Sequence, residues 1–421
     1  MGIERRRRVF GNASVHGPIH LRWTAGSSVL AMPTPVRFAL ERDAAERFLK
    51  TALVFASDDD DTSDEEFVDQ LIFAGMEPQL KRRRQVIGAE RLSIDRLRRE
   101  AANTRNGQEI ANDDEPGSVY TKYRFRLDDL ARVVAALEVP EEFSTTSGHK
   151  FSGEEAVLLL LWRFRSSDGA NSFTLETGRN EAAISECVQY LVEHIHARFP
   201  HLIDERSFTA WAPKFAEFAA AFRRWGVPIP NLIAFLDGKL WPVCRPGHWQ
   251  RVLFSGHKRI HGVKTQGAVF PNGIQPYPYG AVDGSRHDSF VLRMSGIVDI
   301  LRAACAPLGA DYVLFGDSAY PVSRWLWAMY KGVMTPAQKA FNSDMSPARV
   351  TVEWGFGKIA NLWPFLDYRK NQQVLLRPVG MYLNVGNVLT NMHTCLYGSI
   401  VGKEFGMEPP SLEVYMAGGP F

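Results

Sequence analysis

Short apolar runs that end in an aspartate limit most strongly what this chain of 421 residues can fold into. Residues 232–236 (LIAFL) are followed by Asp237, and residues 312–315 (YVLF) are followed, one glycine later, by Asp317. Short apolar runs bounded by turn residues indicate buried strands. Parallel strands end at one edge of a sheet, where α/β proteins usually form their sites. We therefore expect the two aspartates to meet at one edge of an α/β sheet.

A turn sequence between these two runs predicts a β-hairpin. Residues 263–270 and 274–282 flank Pro271-Asn272-Gly273, which is a strong turn signal. A helix is expected at residues 289–304, directly after the hairpin. Asp288 precedes this helix, so it can cap the helix, join the other acids, or do both.

A third acid, Glu353, lies on a helix predicted at residues 347–362. Ser346 is the expected cap of this helix and Pro347 its first residue. A helix that packs across the strand ends can bring a carboxylate close to the two aspartates. The order of the three acids on these elements favours one shared site.

Each of these acids also has a structural interpretation when it is taken alone. Asp237 precedes a glycine, and Asp-Gly is a common turn. Asp317 can cap a helix. Glu353 can pair with Arg349, four residues earlier on the same helix. Only the combination of the three indicates a function.

Clustered carboxylates suit a divalent metal site. Mg²⁺ prefers oxygen ligands, and two such ions about 3.5–4 Å apart can activate a water or a 3′-hydroxyl and stabilise the departing oxygen. Carboxylates gathered without a metal would repel one another. We expect Asp237, Asp317 and Glu353 to be catalytic residues that bind two Mg²⁺ or Mn²⁺ ions.

A basic stretch at residues 254–264 (FSGHKRIHGVK) lies between the first apolar run and the hairpin. Near a metal site such residues suit the phosphate backbone of a nucleic acid, whereas the structural alternative is an exposed cationic loop. Trp241 and Trp249 could stack on unpaired bases, but we interpret them as core residues. The expected DNA-binding residues are His257, Lys258, Arg259, His261, Lys264 and Lys358.

The region before residue 118 is strongly charged. Residues 58–66 (DDDDTSDEE) predict a solvated, disordered stretch, and residues 102–117 predict a linker. The basic block at residues 81–84 is either a nuclear-import or DNA-backbone patch or the polar face of an exposed helix. Residues 172–195 then predict a helix-turn-helix, although the second helix carries few cations and a small helical bundle is an equal alternative.

Composition excludes several other classes of protein. The apolar fraction of 45% and the charged fraction of 23% are typical of a globular protein, and the net charge of +2 does not by itself indicate a nucleic-acid partner. The 4 cysteines form no CxxC pair, so we expect reduced thiols and neither a zinc ribbon nor a disulfide scaffold. The longest apolar run, at residues 156–162, is too short to span a bilayer, and no membrane partner is expected.

Five stretches, taken in order, resemble the DDE endonuclease domain of PIF/Harbinger-type transposases and their domesticated relatives, the Harbinger-derived nucleases. They are FLDGKLWPVCRP, FSGHKRIHGVKTQ, DGSRHDSFVL, VLFGDSAYP and SPARVTVEWGFGKI. The resemblance covers roughly residues 120–400 and is strongest over residues 232–362. It implies that Asp237, Asp317 and Glu353 are a metal-binding triad, and that Asp288 joins the metal site.

The resemblance also implies an activity and partners. These are double-strand DNA cleavage at element ends followed by strand transfer, action in the nucleus, and often a separate Myb/SANT-like DNA-binding partner; a homodimer is left open. This chain departs from the family pattern at Val269-Phe270, where relatives carry an acid, and at VEWGFGKI, where an arginine usually follows the V-E pair. The alternatives are a DNA-binding or adaptor protein of the same fold without turnover, and an RNase or phosphohydrolase of the same fold class.

The predicted fold class is therefore α/β, an RNase H-like mixed sheet flanked by helices, with an N-terminal helical domain of the helix-turn-helix type. The predicted domains are a partly disordered charged region at residues 1–117, a helical domain at 118–226, a DDE nuclease domain at 227–400, and a tail at 401–421.

Overall fold

A computed structural model describes residues 90–103, 118–168 and 171–420 of the chain. The acidic run at residues 58–66 and the basic block at residues 81–84 lie outside the described residues. The predicted linker at residues 102–117 also lies outside them, apart from its first two residues, which end a helix. The domain boundaries proposed at residues 118, 227 and 401 stay predictions.

Helices dominate the described residues between positions 90 and 225, with one small antiparallel hairpin among them. The elements are α1 (Ile94–Asn103), α2 (Val119–Tyr123), α3 (Leu127–Ala136), β1 (Glu142–Ser144), β2 (Lys150–Ser152), α4 (Gly153–Arg165), α5 (Asn171–Thr177), α6 (Glu181–Arg198), α7 (Arg206–Thr209) and α8 (Phe215–Trp225).

The following part of the chain alternates between strands and helices. Its elements are β3 (Leu232–Pro242), α9 (Gln250–Leu253), β4 (Phe254–Ser255), β5 (Ile260–Val269), β6 (Tyr279–Asp283), α10 (Asp288–Ser295), α11 (Ile297–Cys305), β7 (Val313–Gly316), β8 (Leu326–Ala328), α12 (Pro336–Leu362), α13 (Pro364–Asp367), α14 (Val379–Tyr397), α15 (Ile400–Phe405) and α16 (Leu412–Met416).

The strands β3 to β8 form one mixed sheet. Its order is β4-β5-β3-β7-β8, with β6 also paired to β5. The pairs β3–β5 and β5–β6 are antiparallel, whereas β3–β7 and β7–β8 are parallel. This mixed sheet with flanking helices confirms the predicted α/β class, and it fits an RNase H-like core in general terms.

Several element boundaries differ from the prediction. Strand β3 does not stop at Asp237 but continues to Pro242, because the residues after Asp237 remain paired with β5. The second hairpin strand covers only residues 279–283, since Pro276 and Pro278 lack the N–H that a ladder needs. The turn at residues 271–273 is present, with Gly273 at a φ of 82°.

Two predicted helices also change. The helix expected at residues 289–304 is two helices, separated at Gly296, whose φ of 64° is unsuited to a continuing helix. The helix of Glu353 begins at Pro336 rather than Pro347. Thr335 and Gln338 form a capping box there, which satisfies N–H groups of the first turn. Pro347 lies inside the helix, where it omits one hydrogen bond.

The helical region contains the predicted pair α5–α6, separated by a turn at residues 178–180. Asn180 caps α6 by accepting a hydrogen bond from the N–H of Ala183 at 2.7 Å. The residues predicted to point inward on α6 are buried: Ile184, Val188, Leu191 and Ile195. They pack α6 against α4 and α14. A role for α6 in reading DNA stays a prediction.

One ion pair locks this turn to α4. Glu155 is fully buried and receives two hydrogen bonds from the Arg179 guanidinium, at 2.8 and 2.7 Å. We expect Arg179→Ala to lower the free energy of unfolding by about 3–5 kcal/mol, because it leaves a buried carboxylate without its counter-charge. Urea denaturation measures this loss. The double variant Arg179→Met/Glu155→Leu should recover most of it, and an unchanged single variant would contradict the role of the pair.

The cysteines and the apolar character of the helices can also be compared with the predictions from composition. Cys187, Cys244, Cys305 and Cys395 are free thiols, as expected. In the described part of the chain, no helix combines the length and apolar character that a membrane span requires.

Candidate active site

Asp237 lies within β3, opposite Gly267 of β5. Its Oδ1 accepts a hydrogen bond from the N–H of Gly238 at 2.8 Å, which fixes the side chain against its own strand. Burial is the main cause that raises the pKa of this carboxyl to about 6; the charges of Asp317 and Asp288 also raise the pKa, whereas the Gly238 hydrogen bond and the charge of Arg349 lower it. Asp237 is therefore a carboxylate held in a half-buried, acidic setting.

Asp317 follows β7, whose four residues are all buried. Because Leu236 and Gly316 are paired on adjacent parallel strands, Asp237 and Asp317 each take the next position at the same level of the sheet. Neighbouring strands are about 4.8 Å apart. The Oδ1 of Asp317 accepts from the N–H of Ser318 at 2.5 Å. The structure thus brings the two predicted aspartates together.

Asp288, the first residue of α10, adds a third carboxylate beside them. Its Oδ1 lies 3.4 Å from where a Cβ on Gly238 would be. Lys264 donates to this same oxygen at 2.9 Å and to the carbonyl oxygen of Arg286 at 2.6 Å. Lys264, predicted to contact DNA, here orients an acid of the site.

A buried tyrosine, Tyr320, lies beneath the three aspartates and was not singled out in the sequence. Its hydroxyl accepts from Nε2 of Gln266 at 3.2 Å, and Oε1 of Gln266 accepts from the Ser295 hydroxyl at 2.6 Å. Burial raises the tyrosine pKa, and the charges of the aspartates add to that effect. Its ring packs on Gly316, where a Cβ would approach within 2.3 Å. The tyrosine of the GDSAYP stretch is the sequence feature that could have identified this residue.

Glu353 does not join the aspartates directly in this structure. Its side chain is 57% exposed, and its Oε1 lies 3.4 Å from Nη2 of Arg349. The Nη1 of the same guanidinium lies 3.6 Å from Oδ1 of Asp317. In the part of the chain that the structure describes, no three Asp, Glu, His or Cys side chains are grouped closely enough to hold a metal ion. Arg349 therefore links Glu353 to the aspartates.

The segment that carries these acids is similar to a known family. Residues 236–391, which include all four of these acids, match the family model described as DDE superfamily endonuclease. This segment of the chain is therefore similar to a DDE superfamily endonuclease domain. The chain is also 24% identical over 268 residues to a protein of Arabidopsis thaliana called "Protein ALP1-like".

That alignment covers 59% of this chain and 63% of the relative, so the chain spans less than two thirds of the relative's length. No solved structure matches the chain. The two matches are consistent with the resemblance to the Harbinger-type nuclease family.

The helix that carries Glu353 packs tightly onto the mixed sheet. A Cβ on Gly355 would lie 2.8 Å from Cγ2 of Val269, and a Cβ on Gly267 would lie 3.1 Å from Cζ of Phe356. Gly267 is also the strand partner of Asp237. These two glycines let α12 approach β5, which sets the position of Glu353 relative to the aspartates.

The basic residues predicted to contact DNA are placed differently from one another in this domain. His257, Lys258 and Arg259 are exposed at the turn between β4 and β5. His261 is half-buried, and its ring centroid lies 5.2 Å from that of Phe254. Lys358 donates to the Thr394 hydroxyl and to the carbonyl oxygen of Gly398, at 2.8 and 2.7 Å. Their contact with DNA stays a prediction.

The two tryptophans near the basic stretch differ in burial. Trp241 is only 2% exposed, and its indole N–H donates to the Thr265 hydroxyl at 2.8 Å. It is a core residue, as expected. Trp249 is half-buried.

Because the pKa of Asp237 is raised in the folded protein, the free energy of unfolding should depend on pH. Between its ordinary value of 3.8 and about 6, the folded protein binds more protons than the unfolded chain. The contribution of Asp237 to stability therefore falls as the pH rises through this window. Without divalent metal, Asp237→Asn should be more stable than the wild type at pH 7, by at most about 3 kcal/mol, and the difference should vanish below about pH 4.

Urea denaturation in EDTA at the two pH values measures this difference. Asp299→Asn is the matched control, because Asp299 is 72% exposed on α11 and pairs only with Arg302 among the ion pairs of the described residues. A stability difference for Asp237→Asn that does not change with pH would contradict the acidic setting of this site.

Proposed function

We propose that this chain is a divalent-metal-dependent DNA endonuclease of the transposase type, which cleaves phosphodiester bonds with Asp237, Asp317 and Glu353 as its catalytic acids. The observation that carries this proposal is the position of Asp237 and Asp317 at one level of adjacent parallel strands. Both lie inside the segment that matches the DDE superfamily endonuclease model. A purely structural pair of carboxylates would be expected to have a basic partner for each.

The donor set fits a divalent metal. The DDE endonuclease superfamily generally uses divalent metal ions, and Mg²⁺ and Mn²⁺ prefer carboxylate oxygens. Burial and the charges of its neighbours raise the pKa of Asp237 to about 6, and a cation would relieve that electrostatic cost. Asp237 and Asp317 would hold the metal, with Asp288 beside them. When bound, the metal supplies Lewis-acid activation of a water or a 3′-hydroxyl.

The protein's own groups prepare the site for the phosphodiester. Lys264 holds Asp288 by a hydrogen bond of 2.9 Å, and the Gly238 and Ser318 amides hold the other two aspartates. Tyr320 and the residues around it form the buried base of the site. These contacts fix the carboxylates before substrate arrives, which is the main requirement for stabilising charge in the transition state.

Glu353 has to turn towards the aspartates to act with them. Its pairing with Arg349 does not prevent this, because an ion pair as exposed as this one contributes about 1 kcal/mol or less. Movement of the Arg349 guanidinium would then leave Asp317 and Glu353 free to face the same substrate.

The experiment is a cleavage assay on matched DNA and RNA duplexes with Mg²⁺, with Mn²⁺ and with EDTA. We expect cleavage of DNA with either metal, none with EDTA, and little cleavage of RNA. Cleavage of RNA in preference to DNA would contradict the proposal and would indicate an RNase of the same fold class.

A second candidate function, a DNA-binding or adaptor protein without turnover, is favoured by one observation. Arg349 pairs with both Asp317 and Glu353, which is how a protein stabilises carboxylates that never bind metal. Calorimetric titration with Mn²⁺ separates the two functions. The endonuclease binds the ion through its aspartates, whereas the adaptor binds DNA equally well in EDTA and shows no Mn²⁺ binding.

The proposal also places the protein in the nucleus, with a Myb/SANT-like partner. Its basis is the basic block KRRR at residues 81–84 and the family resemblance. A fluorescent fusion in which these four positions are neutralised should lose nuclear accumulation. Unchanged nuclear signal would remove the block from this role.

A further inference from the structure

A second site with its own charge lies in the helical region. It is a cavity of about 220 Å³ between α4, α6 and the segment that joins α13 to α14. Its polar lining consists mainly of Arg163, Ser185, Lys370, Asn371, Arg377 and Tyr382.

The cations of this cavity have no acidic partner. Among the described residues, none of Arg163, Lys370 and Arg377 forms an ion pair, and no aspartate or glutamate lines the cavity. Arg163 reaches Asp168 only through the carbonyl oxygen, at 2.8 Å. Other arginines of the surface, such as Arg198 with Glu138, do pair with an acid. The cavity therefore carries an excess of positive charge, which the charge of Asp168 offsets only in part.

The two guanidinium groups are held rigidly. Arg163 donates to the carbonyl oxygen of Ser166 at 3.3 Å and to Oδ1 of Asn371 at 3.2 Å, and its guanidinium lies 4.4 Å from the ring centroid of Phe365. Arg377 donates to the Ser185 hydroxyl at 2.7 Å. Such contacts lower the entropy that an anion would otherwise cost to immobilise these side chains.

The charges of Arg163 and Arg377 also favour a bound anion. Burial and, to a smaller extent, the charge of Arg377 lower the pKa of Arg163 to about 10, against the opposing effects of Tyr382 and Asp168. Two like charges held at one half-buried place are unfavourable, and a bound anion would remove that cost. Guanidinium groups bind phosphate oxygens through paired hydrogen bonds.

We propose that this cavity binds one phosphate group, and that the phosphate belongs to the DNA backbone away from the cleaved position. The volume of 220 Å³ is below the roughly 300–1,000 Å³ of pockets for drug-sized ligands, which favours a compact anion. The source of the phosphate rests on the proposed function, whereas the anion site does not.

The cavity is also joined to the strand that carries Asp237. The backbone N–H of Cys244, beyond the end of β3, donates to the carbonyl oxygen of Gln372 at 2.9 Å, next to Asn371 of the cavity. The extended stretch from Asp237 to Cys244 spans roughly 20 Å at about 3.3 Å per residue. A duplex held at both places would bridge several nucleotides, so the cavity would fix the position of the duplex.

The test is DNA binding in EDTA over roughly 50–200 mM salt, with Lys370→Gln and Arg377→Gln. Each lost phosphate contact should reduce the slope of log affinity against log salt by about 0.9, and lower the affinity about eight-fold near 0.1 M salt. Lys370 is exposed, so its variant keeps the fold. Arg224→Gln removes an equally exposed cation on α8, outside the cavity, and should leave the slope unchanged. An unchanged slope in both cavity variants overturns the proposal.

A second measurement separates the anion site from the DNA. Inorganic phosphate, at constant ionic strength, should raise the Tm of the wild type but not that of Arg377→Gln. A phosphate effect that depends on Arg377, together with an unchanged DNA slope, overturns the DNA backbone as its source. If the wild type binds no DNA but keeps this phosphate effect, the proposed function fails and the anion site stands. If phosphate changes neither Tm, the anion site is wrong.

Discussion

Replacing Asp317 by asparagine should lower the rate of the proposed metal-dependent DNA cleavage by roughly 10³-fold while the fold is retained. Asparagine keeps the Oδ1 acceptor for the Ser318 N–H, so the turn after β7 is preserved. It removes the negative charge that a divalent ion needs and that lies beside Asp237. Single-turnover cleavage with Mn²⁺ measures the loss, and calorimetry should show weakened metal binding in parallel.

Asp299→Asn provides the matched control, since it removes the same charge from an exposed position on α11. Its rate should equal that of the wild type. Circular dichroism establishes that both variants are folded. If Asp317→Asn cleaves at the wild-type rate, the active site proposed for this domain is wrong.

Phe270→Asp should leave the protein largely unfolded, with a loss of at least about 4 kcal/mol in the free energy of unfolding. Phe270 is fully buried, with its ring centroid 4.7 Å from that of Phe218 and 5.5 Å from that of Phe208. A carboxylate there would be surrounded by aromatic rings and would have no counter-charge. The net stability of a domain is about 5–15 kcal/mol, so this single change approaches the whole of it.

The control for this prediction is Phe270→Leu, which should lower the free energy of unfolding by only about 1–2 kcal/mol. Urea denaturation measures both variants. Equal stability of Phe270→Asp and the wild type would show that this position does not belong to the core.

Local sequence patterns predicted the elements of this fold well and their ends poorly. The apolar runs at residues 232–236 and 312–315 are buried strands, and the Pro-Asn-Gly turn is present. Asp237 was predicted to end its strand because Asp-Gly is a turn signal. The pairing of the following residues with β5 overrides that local preference. The start of the Glu353 helix was predicted at Pro347 for a similar local reason, whereas the helix begins after the capping residue Thr335.

The candidate site also has features that local sequence predicts and features that it does not. The positions of Asp237 and Asp317 could be predicted, because each comes just after a short apolar run and the two runs form neighbouring parallel strands. The link from Arg349 to Asp317 could not, because it joins residues that are brought together only by the packing of α12 on the sheet. The ion pair between Lys264 and Asp288 could not be predicted either. A lysine in a basic stretch suggests a DNA contact, and the sequence does not show that Asp288 lies next to it.

The location of Asp237 in mid-strand has a consequence for the kinetics of the protein. Its neighbours pair with β5 on one side and with β7 on the other, so its backbone amides open only when the central sheet does. Glu353, on an exposed face of a helix, reorients on the nanosecond scale of surface side chains. Assembly of the three acids thus requires no slow backbone rearrangement, and hydrogen exchange around Asp237 should be equally slow whether or not a substrate is bound.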